Sequence, residues 1–348
     1  MKKERILVCY NEPFNYYDNY HGKEVDLNSK SDLSETEFRN NLDHIVNLLK
    51  NNYSIVETLG FTSDIKDAIN KIEKFSPDVI YNFVESIEGN ARYEIYVTGI
   101  YELLGISYTG NNPLCLANCL IKNRTKQILI SQNIPTPNYF LIKKEQKPNE
   151  IKINLKYPVI LKLATEDASI GISENSVVNN YEELKRQTKY LIRNFNQDIL
   201  AEEYIRGREL NVAFLDGTIL PISEINFNGL PQDLPAIVTY EAKWSPETVY
   251  YKFSNPICPA ILDEEIKMKV IKIATEAYNA LECRDYARVD IRLSEDNIPY
   301  VIEVNPNPDI SPDAGFVRAA NAAGISYESL LLKISQCAIK RIQNDSFN

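Results

Sequence analysis

The sequence predicts an α/β protein built from several domains. The chain has 348 residues, too many for one small core, and its 44% hydrophobic and 25% charged residues are usual for a folded protein. Its first hundred residues alternate between strand-like and helix-like segments. Such alternation implies parallel strands whose sheet is covered by helices.

The N-terminal region starts with a predicted strand at Arg5–Tyr10 and is expected to form a first domain over residues 1–111. Further strands are predicted at Ser54–Leu59, Asp78–Phe83 and Ile106–Tyr108, and helices at Ser34–Asn51, Ser63–Phe75 and Ala91–Leu104. Gly105 ends the last of these helices, because glycine is favoured just beyond a helix.

Residues 112–206 and 207–348 are expected to form a central and a C-terminal lobe. A helical stretch over Asn112–Asn133 is closed by the breaker Ile134-Pro-Thr-Pro137. Later strands are predicted at Asn138–Ile142, Tyr157–Ala164, Ile199–Ile205 and Glu209–Leu215, and helices at Tyr181–Asn196, Asp263–Glu282 and from Ser326. The stretch Phe227–Pro256 lacks periodicity and is long for a passive connection, which favours a functional loop.

Charge and residue inventory exclude several classes of function. A net charge of −10 argues against a nucleic-acid partner, and the apolar runs are too short to span a membrane. Six scattered cysteines without a CxxC pair indicate free thiols in a reducing cytoplasm, and two histidines make a zinc site or a Ser-His-Asp relay improbable. Cys115 and Cys119 have helical spacing, which suits two metal ligands or, more commonly, two buried core residues.

A hairpin in the C-terminal lobe collects polar residues on one face. With Asp296-Asn297 as a two-residue turn, Asp290 lies opposite Glu303. The same register places Arg288 opposite Asn305. Alternation then predicts one apolar face with Val289, Ile291, Leu293, Tyr300, Ile302 and Val304, and one polar face with Arg288, Asp290, Arg292, Val301, Glu303 and Asn305.

Two interpretations of this polar face remain open from the pattern alone. Carboxylates directly opposite each other have Cβ atoms about 5 Å apart, which is unfavourable without a cation between them. A set of Asp, Glu and Asn oxygens suits Mg²⁺ rather than zinc. The alternative is a solvated outer face on which Arg288 and Arg292 neutralise the acids.

A magnesium site implies a phosphate, and the central lobe contains residues suited to one. Lys162 lies inside an apolar strand, and a lysine in such a position is expected to face an anion. The loop Thr165–Gly171 is small and polar, although it lacks the GxGxxG and Walker patterns. Ile199–Glu209 concentrates acids near a glycine, a pattern that a solvated hairpin explains equally well.

Taken in order, these pieces resemble the ATP-grasp superfamily and, within it, the D-alanine–D-alanine ligase group. The resemblance covers residues 78–335. It rests on Tyr108–Gly110, Lys122–Lys126, Ile134–Pro137, Pro158–Lys162, Ser169–Gly171, Glu202–Glu209, Tyr240–Lys243, Ala287–Asp290 and Ile302–Asn305. It implies a three-domain architecture in which an N-terminal parallel-sheet domain precedes two α+β lobes that sandwich ATP.

The resemblance also implies an activity and a role for each site residue. Members of the group phosphorylate a carboxylate with ATP, and an amine then attacks the acyl phosphate to form an amide. The ATP contacts implied are Lys122, Lys162, Ser169 and Gly171 at the phosphates, Glu202 to Ile205 with Tyr204 at the adenine, and Glu209 at the ribose. The chemical positions implied are Lys243 at the transferring phosphate, Arg288 at the developing charge, and Asp290, Glu303 and Asn305 as ligands of two Mg²⁺ ions, with Mn²⁺ as a substitute.

Departures from the group concentrate at the expected substrate end. Ala168 stands where the group has the first of two loop serines, and Trp244 stands where it has a tyrosine. Asp309 replaces a glycine, and Ala314 stands where a serine helps to bind the acceptor carboxylate. We therefore predict an altered substrate pocket that includes Glu85, Trp244, Asp309 and Asp313.

Three hypotheses follow. The first is a carboxylate–amine ligase that acts on an amino acid or small peptide, with small-molecule acid and amine substrates. The second is an authentic D-alanine–D-alanine or D-alanine–D-lactate ligase. The third is a non-catalytic ATP-binding regulator, against which the complete set of phosphoryl-transfer residues argues. The resemblance further implies a homodimer.

Overall fold

The computed structural model describes residues 2–24 and 33–345, which form three β-sheets flanked by helices. The predicted α/β class is confirmed, including a parallel sheet in the N-terminal region. Within the described ranges, none of the helices combines the length and the apolar character that crossing a bilayer requires.

The N-terminal sheet has four parallel strands. Its elements are β1 Lys2–Asn11, α1 Leu33–Lys50, β2 Tyr53–Phe61, α2 Ile65–Phe75, β3 Val79–Phe83, α3 Arg92–Leu103 and β4 Ser107–Tyr108. The strand order is β2-β1-β3-β4, and residues 6–11 of β1 and all of β3 are buried. Because the strands are parallel, the carboxyl ends of β1 and β3 meet at one edge, where the chain continues into Glu85.

The central region carries an antiparallel sheet of order β5-β8-β6-β7. Its elements are α4 Pro113–Leu120, α5 Lys122–Ser131, β5 Tyr139–Ile142, β6 Val159–Leu163, β7 Val177–Val178, α6 Tyr181–Phe195 and β8 Ile199–Glu203, with 3₁₀ turns at Pro148–Glu150 and Glu174–Ser176. The helical stretch predicted over Asn112–Asn133 consists of two helices, which are separated at Ile121 because this residue leaves helical geometry with a ψ of 88°. The amide of Lys122 instead donates to the Ala164 carbonyl, 3.0 Å away, which anchors the start of the second helix beside the end of a strand.

The C-terminal sheet has six strands. Its elements are β9 Gly207–Leu215, β10 Thr218–Ile219, β11 Ser223–Asn226, α7 Tyr240–Trp244, α8 Val249–Phe253, β12 Asn255–Ile257, α9 Glu264–Ala280, β13 Tyr286–Ser294 and β14 Pro299–Asn305. The main order is β12-β11-β9-β13-β14, and β10 pairs with β9. The segment Phe227–Pro256, predicted to be a loop, contains the two short helices α7 and α8.

The last two helices, α10 Gly315–Ala322 and α11 Tyr327–Asp345, pack on the N-terminal sheet. Phe316 and Ile334 share a buried cluster with Tyr81 of β3. Hydrogen bonds reinforce this packing, since the Tyr53 and Ser335 hydroxyl oxygens lie 2.7 Å apart. The chain therefore returns to its first sheet after completing the third.

Candidate active site

One face of the C-terminal sheet carries a row of polar side chains from β9, β13 and β14. The register pairs are Glu209 with Arg292, Asn211 with Asp290, Asp290 with Glu303, and Arg288 with Asn305. The two pairings predicted across the β13–β14 hairpin are thus confirmed. The opposite face is apolar and is buried with α9. The polar face points toward Lys122 and Lys162 of the central region, and we call the space between them the cleft.

The hairpin reaches this register by a different route from the one predicted. Its turn has three residues rather than two, with Ser294 bonded to Ile298 and Asn297 in the left-handed region at φ 57°. The register shifts by one residue beyond the pairing of Asp290 with Glu303, which leaves Ile302 as the extra residue of a bulge. Val301 therefore enters the core and Tyr300 pairs opposite Arg292, the reverse of the predicted faces.

Asp290 is held by donors on three sides. Arg288 Nε and Nη2 donate to its two carboxylate oxygens at 2.7 and 2.8 Å. Asn211 Nδ2 donates to Oδ1 at 2.8 Å and Asn305 Nδ2 donates to Oδ2 at 2.9 Å. This bidentate ion pair raises the pKa of Arg288, although burial opposes the effect. Asn211 was not identified from the sequence, where it appears as one polar residue in a strand.

Glu303 faces lysines from the rest of the cleft. Lys122 Nζ contacts Glu303 Oε1 and also lies 2.9 Å from Asp167 Oδ1 in the loop after β6. Burial alone would raise the pKa of Glu303, but Lys122, Lys162 and Lys243 outweigh it and lower the pKa to about 2. The carboxylate is therefore ionised throughout the physiological range.

Glu202 forms a buried ion triad with two lysines. Its Oε1 lies 3.1 Å from Lys126 Nζ, and its Oε2 lies 3.0 Å from Lys162 Nζ. Lys126 also donates to the Val301 and Ile302 carbonyls at the bulge, at 3.3 and 3.2 Å. The Glu202 side chain is thus occupied by lysines and is not available to an adenine. In the sequence Lys126 is recognisable only as the end of the motif Lys122–Lys126, four residues from Lys122 and therefore on the same side of a helix.

Arg292 organises the residues predicted to hold the adenosine end of ATP. It donates to Glu209 Oε2 and to the Ile205 carbonyl, both at 3.1 Å. Its guanidinium lies 5.3 Å from the centre of the Tyr204 ring, and it donates to the Ala236 carbonyl at 3.0 Å. The structure brings Tyr204, Ile205 and Glu209 together around Arg292. The sequence pattern indicates for Arg292 only that it neutralises nearby acidic side chains.

The loop between β6 and β7 is fastened from outside the cleft. Ala168 and Ser169 adopt left-handed geometry at φ 53° and 61°. The Gly171 amide donates to the Tyr20 carbonyl at 2.9 Å, so in this arrangement that amide is not available to a phosphate, and the ATP contact of Gly171 stays a prediction. A Cβ on Gly22 would meet the Gly171 carbonyl at 2.2 Å, which shows how closely the two backbones approach.

The segment Tyr17–Lys23, which we call the N-terminal clamp, spans this loop and α7. The Tyr17 hydroxyl donates to Glu166 Oε1 at 2.6 Å and accepts from Gln197 Nε2 at 2.7 Å. Lys23 Nζ lies 3.1 Å from Glu174 and 2.9 Å from Glu241. The clamp was not identified, because nothing local in a polar, tyrosine-rich stretch specifies distant partners.

Lys243 lies on α7, whose first turn is capped by the Thr239 hydroxyl. Loss of solvation lowers the pKa of Lys243, and the positive charge of Arg288 lowers it further. Glu303, Asp290 and Asp309 also act on it electrostatically, which places it over the polar face. Trp244 is partly buried and packs against the buried cluster of the central sheet, and its place in a substrate pocket stays a prediction.

A narrow acidic pocket opens between the N-terminal sheet edge and the segment after β14. Its lining residues are Phe38, Asn82, Phe83, Val84, Glu85, Glu94, Tyr286, Asn307, Pro308, Asp309 and Ile310. Glu85 and Asp309, two of the residues predicted for the substrate pocket, line it, whereas Asp313 is exposed and is not among the lining residues. Glu94 was missed. Burial raises its pKa to about 8, although Asn307 Nδ2 donates to it at 2.7 Å.

The donor set on the polar face fits magnesium. Asp290, Glu303 and Asn305 offer oxygen atoms from facing strand positions, and oxygen is the ligand that Mg²⁺ prefers. Arg288 and Lys122 neutralise the two carboxylates here, as a metal ion and its phosphates would. Residues 290, 303 and 305 therefore suit a cation bound together with a phosphate.

Comparisons with known proteins agree with this geometry. Residues 128–336 match the family model described as the C-terminus of D-ala D-ala ligase. A D-alanine–D-alanine ligase of Carboxydothermus hydrogenoformans is 32% identical over 297 residues, which cover 82% of this chain and 88% of that protein. A Sinorhizobium fredii protein named Uncharacterized protein y4sG is 31% identical, with 82% of this chain and 84% of that protein covered.

A solved structure is similar over nearly the whole chain. The crystal structure of D-alanine–D-alanine ligase from Bacillus anthracis complexed with ATP gives a TM-score of 0.72 at 25% identity. The match covers 98% of this chain and 99% of that one. The order of the three sheets and the placement of the cleft therefore belong to a known architecture.

Proposed function

The chain belongs to the D-alanine–D-alanine ligase family of ATP-dependent ligases that form carbon–nitrogen bonds, and from this premise we propose that it joins an amino acid or small peptide to an amine. In this proposal a substrate carboxylate oxygen bonds to the γ-phosphorus of ATP, and ADP leaves with the electrons of the broken P–O bond. The amine then attacks the acyl carbon, inorganic phosphate leaves with the C–O bonding electrons, and the nitrogen loses a proton as the amide forms.

One observation carries the proposal. Basic side chains from the central lobe and α7 meet the acidic row of the C-terminal sheet across one cleft. Lys122 contacts Glu303, and Lys162 and Lys243 both lower the pKa of that carboxylate. A cluster of opposite charges in an open cleft suits a ligand that carries many charges of its own, such as a nucleoside triphosphate bound with a metal ion.

Each residue of the cleft has a proposed task. Lys122 and Lys162 bind phosphate oxygens, and Glu202 positions Lys162. Arg292 orients Glu209 for the ribose, and the segment Tyr204–Ile205, which Arg292 also contacts, is the proposed adenine contact. Ser169 remains a proposed phosphate contact.

Asp290, Glu303 and Asn305 would hold Mg²⁺, as two ions or with Mn²⁺ in its place; when bound, the metal supplies positive charge that offsets the charge developing on the phosphates.

Arg288 is suited to the reacting end of the cleft. Its guanidinium is fixed by Asp290, remains fully protonated, and can present donors to an oxyanion. Lys243 lies close enough to Arg288 for the two charges to act on each other. The N-terminal clamp holds the phosphate loop and α7 together, which helps to exclude the water that would hydrolyse an acyl phosphate.

The acidic pocket supports an amine-bearing substrate. Glu85 and Asp309 line it together with Glu94, whose raised pKa keeps it largely protonated at neutral pH, so a substrate ammonium would be attracted by the carboxylates of Glu85 and Asp309. This is why we favour an acid substrate with a cationic group, or an amine that enters as a cation and loses its proton before attack.

An ADP-release assay tests the proposal. Purified protein with Mg-ATP is incubated with pools of amino acids, dipeptides and amines, and the product of any active pool is identified by mass spectrometry. We expect ADP release above background that depends on both an acid and an amine. Background turnover with every pool, from folded protein that binds Mg-ATP, would contradict the proposal and favour a non-catalytic ATP-binding protein.

A second candidate is D-alanine–D-alanine or D-alanine–D-lactate ligation itself. It is supported by the relative from Carboxydothermus hydrogenoformans that bears this name and is covered over 88% of its length. Incubation with D-alanine, D-lactate and Mg-ATP separates the two candidates, because only the second predicts the dipeptide or depsipeptide. A homodimer in the cytoplasm remains part of the proposal, and light scattering on the purified protein tests the dimer.

A further inference from the structure

Three cysteine thiols from distant parts of the chain meet in the core. Cys115 and Cys119 project from α4, and Cys283 lies between α9 and β13. Their sulfur atoms all lie within 4.8 Å of one another, and the sulfurs of Cys115 and Cys283 are 3.6 Å apart. All three side chains are buried. Among residues 2–24 and 33–345, no other set of three His, Cys, Asp or Glu side chains gathers ligand atoms this closely.

These spacings match those of a thiolate metal site. Zinc–sulfur bonds of about 2.3 Å in a tetrahedral site place neighbouring sulfurs about 3.8 Å apart. The Cys115–Cys283 separation of 3.6 Å is close to that value and no sulfur pair exceeds 4.8 Å, so side-chain rotations would bring the three sulfurs to bonding distance from one central ion. A hydrophobic core gives no reason for three thiols from two distant segments to turn toward one point.

An oxygen ligand lies beside the sulfurs. Asn111 Oδ1 is 3.4 Å from Cys115 Sγ, and it also accepts the Arg284 amide at 2.6 Å. We propose that Cys115, Cys119 and Cys283 bind a soft or borderline metal ion such as Zn²⁺, with Asn111 Oδ1 as a fourth ligand. The positive charge of Arg284, which lies close to Cys115, offsets the negative charge of three thiolates.

The site is structural rather than catalytic. Asn111 Nδ2 donates to the Tyr286 carbonyl at 2.9 Å and contacts the Pro306 carbonyl just after the Asn305 position. A metal ion here would link α4 to the start of β13 and to the end of β14. It would stabilise the junction on which the polar face of the cleft is built. Thiolates do not suit Mg²⁺, so this site and the carboxylate site select different ions.

A cysteine-specific metal titration tests the proposal. Protein reduced and freed of metal with a chelator is titrated anaerobically with Cd²⁺, whose thiolate complexes absorb in the ultraviolet, and then with Zn²⁺ in competition. We expect one ion per chain, a thiolate charge-transfer band and a higher melting temperature. Cys283→Ser and Cys115→Ser weaken the band and the binding of the ion, whereas Cys9→Ser, which changes a buried cysteine outside the cluster, retains both.

The wild-type titration decides the matter even where a variant folds poorly. No thiolate band with reduced wild-type protein overturns the proposal, as does an undiminished band in Cys283→Ser. A Cys115–Cys283 disulfide found by non-reducing peptide mapping of protein purified without oxidant would also overturn it, because the cluster would then be a redox pair. None of these results depends on ligase activity.

Discussion

The ammonium of Lys126 lies 3.1 Å from the Glu202 carboxylate, and both side chains are 1% exposed. Burial alone would raise the pKa of Glu202, but Lys126 and Lys162 outweigh it and lower that pKa. Burial lowers the pKa of Lys126 to about 8, although Glu202 opposes this effect. Lys162, which faces the cleft, is therefore positioned by its contact with Glu202, and Glu202 is itself held by the buried ion pair with Lys126.

Glu202→Gln removes the charge between two lysines. Because an uncompensated buried charge is costly, we expect a loss of about 3–5 kcal/mol in the free energy of unfolding and a higher KM for ATP. Urea denaturation and ATP-dependent kinetics measure the two effects. Glu203→Gln on the same strand is the control, with an expected loss of about 1 kcal/mol or less because Glu203 is partly exposed. Equal losses would show that the triad does not stabilise the fold.

Asp290→Asn and Glu303→Gln remove the charges of the predicted metal ligands. We expect turnover to fall by about 100-fold or more, with a higher Mg²⁺ requirement, because charge on the transferring phosphate is no longer offset. Glu295→Gln, in the exposed turn of the same hairpin, should retain wild-type turnover. Circular dichroism confirms folding, and a variant at 290 or 303 with unchanged kinetics would argue against the metal assignment.

Arg292→Lys removes the planar group that contacts Tyr204, Glu209 and Ile205. A lysine cannot make these contacts simultaneously, so the KM for ATP should rise roughly 10-fold while kcat changes little. Arg208→Lys provides the comparison, because Arg208 pairs with Glu224 at the partly exposed end of β9. Nucleotide titration compares the ATP affinity of the two variants. An equal loss of affinity in both variants would indicate that the arginines only stabilise the sheet and would contradict a role of Arg292 in adenosine binding.

Glu94 should make stability depend on pH. Its pKa is raised to about 8 from 4.5, so folding favours the protonated carboxyl. The stabilisation is complete below pH 4.5 and is lost as pH rises to about 8. Glu94→Gln carries a neutral amide, and its melting temperature should fall less than that of the wild type between pH 5 and pH 8. Glu102→Gln on the same helix should follow the wild-type profile, and identical profiles for all three proteins would contradict the shift.

Tyr17→Phe weakens the N-terminal clamp without changing its ring packing. Loss of the hydroxyl removes the hydrogen bonds to Glu166 and Gln197, so water should enter the closed cleft more often. We expect ADP release to exceed product formation severalfold relative to wild type. Tyr16→Phe, at an exposed neighbouring position, should keep ADP and product equimolar. Unchanged coupling in Tyr17→Phe would show that the clamp does not exclude water.

The hairpin shows how far local pattern extends. The pairing of Asp290 with Glu303 followed from alternation, because side chains in a strand point to opposite faces with a period of two. The bulge at Ile302 did not follow. It is held by Lys126 and by the bond from the Val301 amide to the Pro135 carbonyl at 2.9 Å, and both partners are more than 150 residues away. The turn is one residue longer than predicted, and the bulge adds one unpaired residue to β14. These two differences cancel, so Asp290 and Arg288 have the partners that were predicted.

The amino-acid sequence by itself determined the α/β class, the polar face of the hairpin and the lysines that face it. These features are encoded by periodicity within one element and by ordered segments that resemble a known family. Only the tertiary structure decided that Lys126 and Glu202 pair, that the N-terminal clamp binds the loop between β6 and β7, and that Cys283 joins Cys115 and Cys119. Each of these contacts joins residues far apart in the chain, and a pattern within one segment carries no information about which distant segment folds against it.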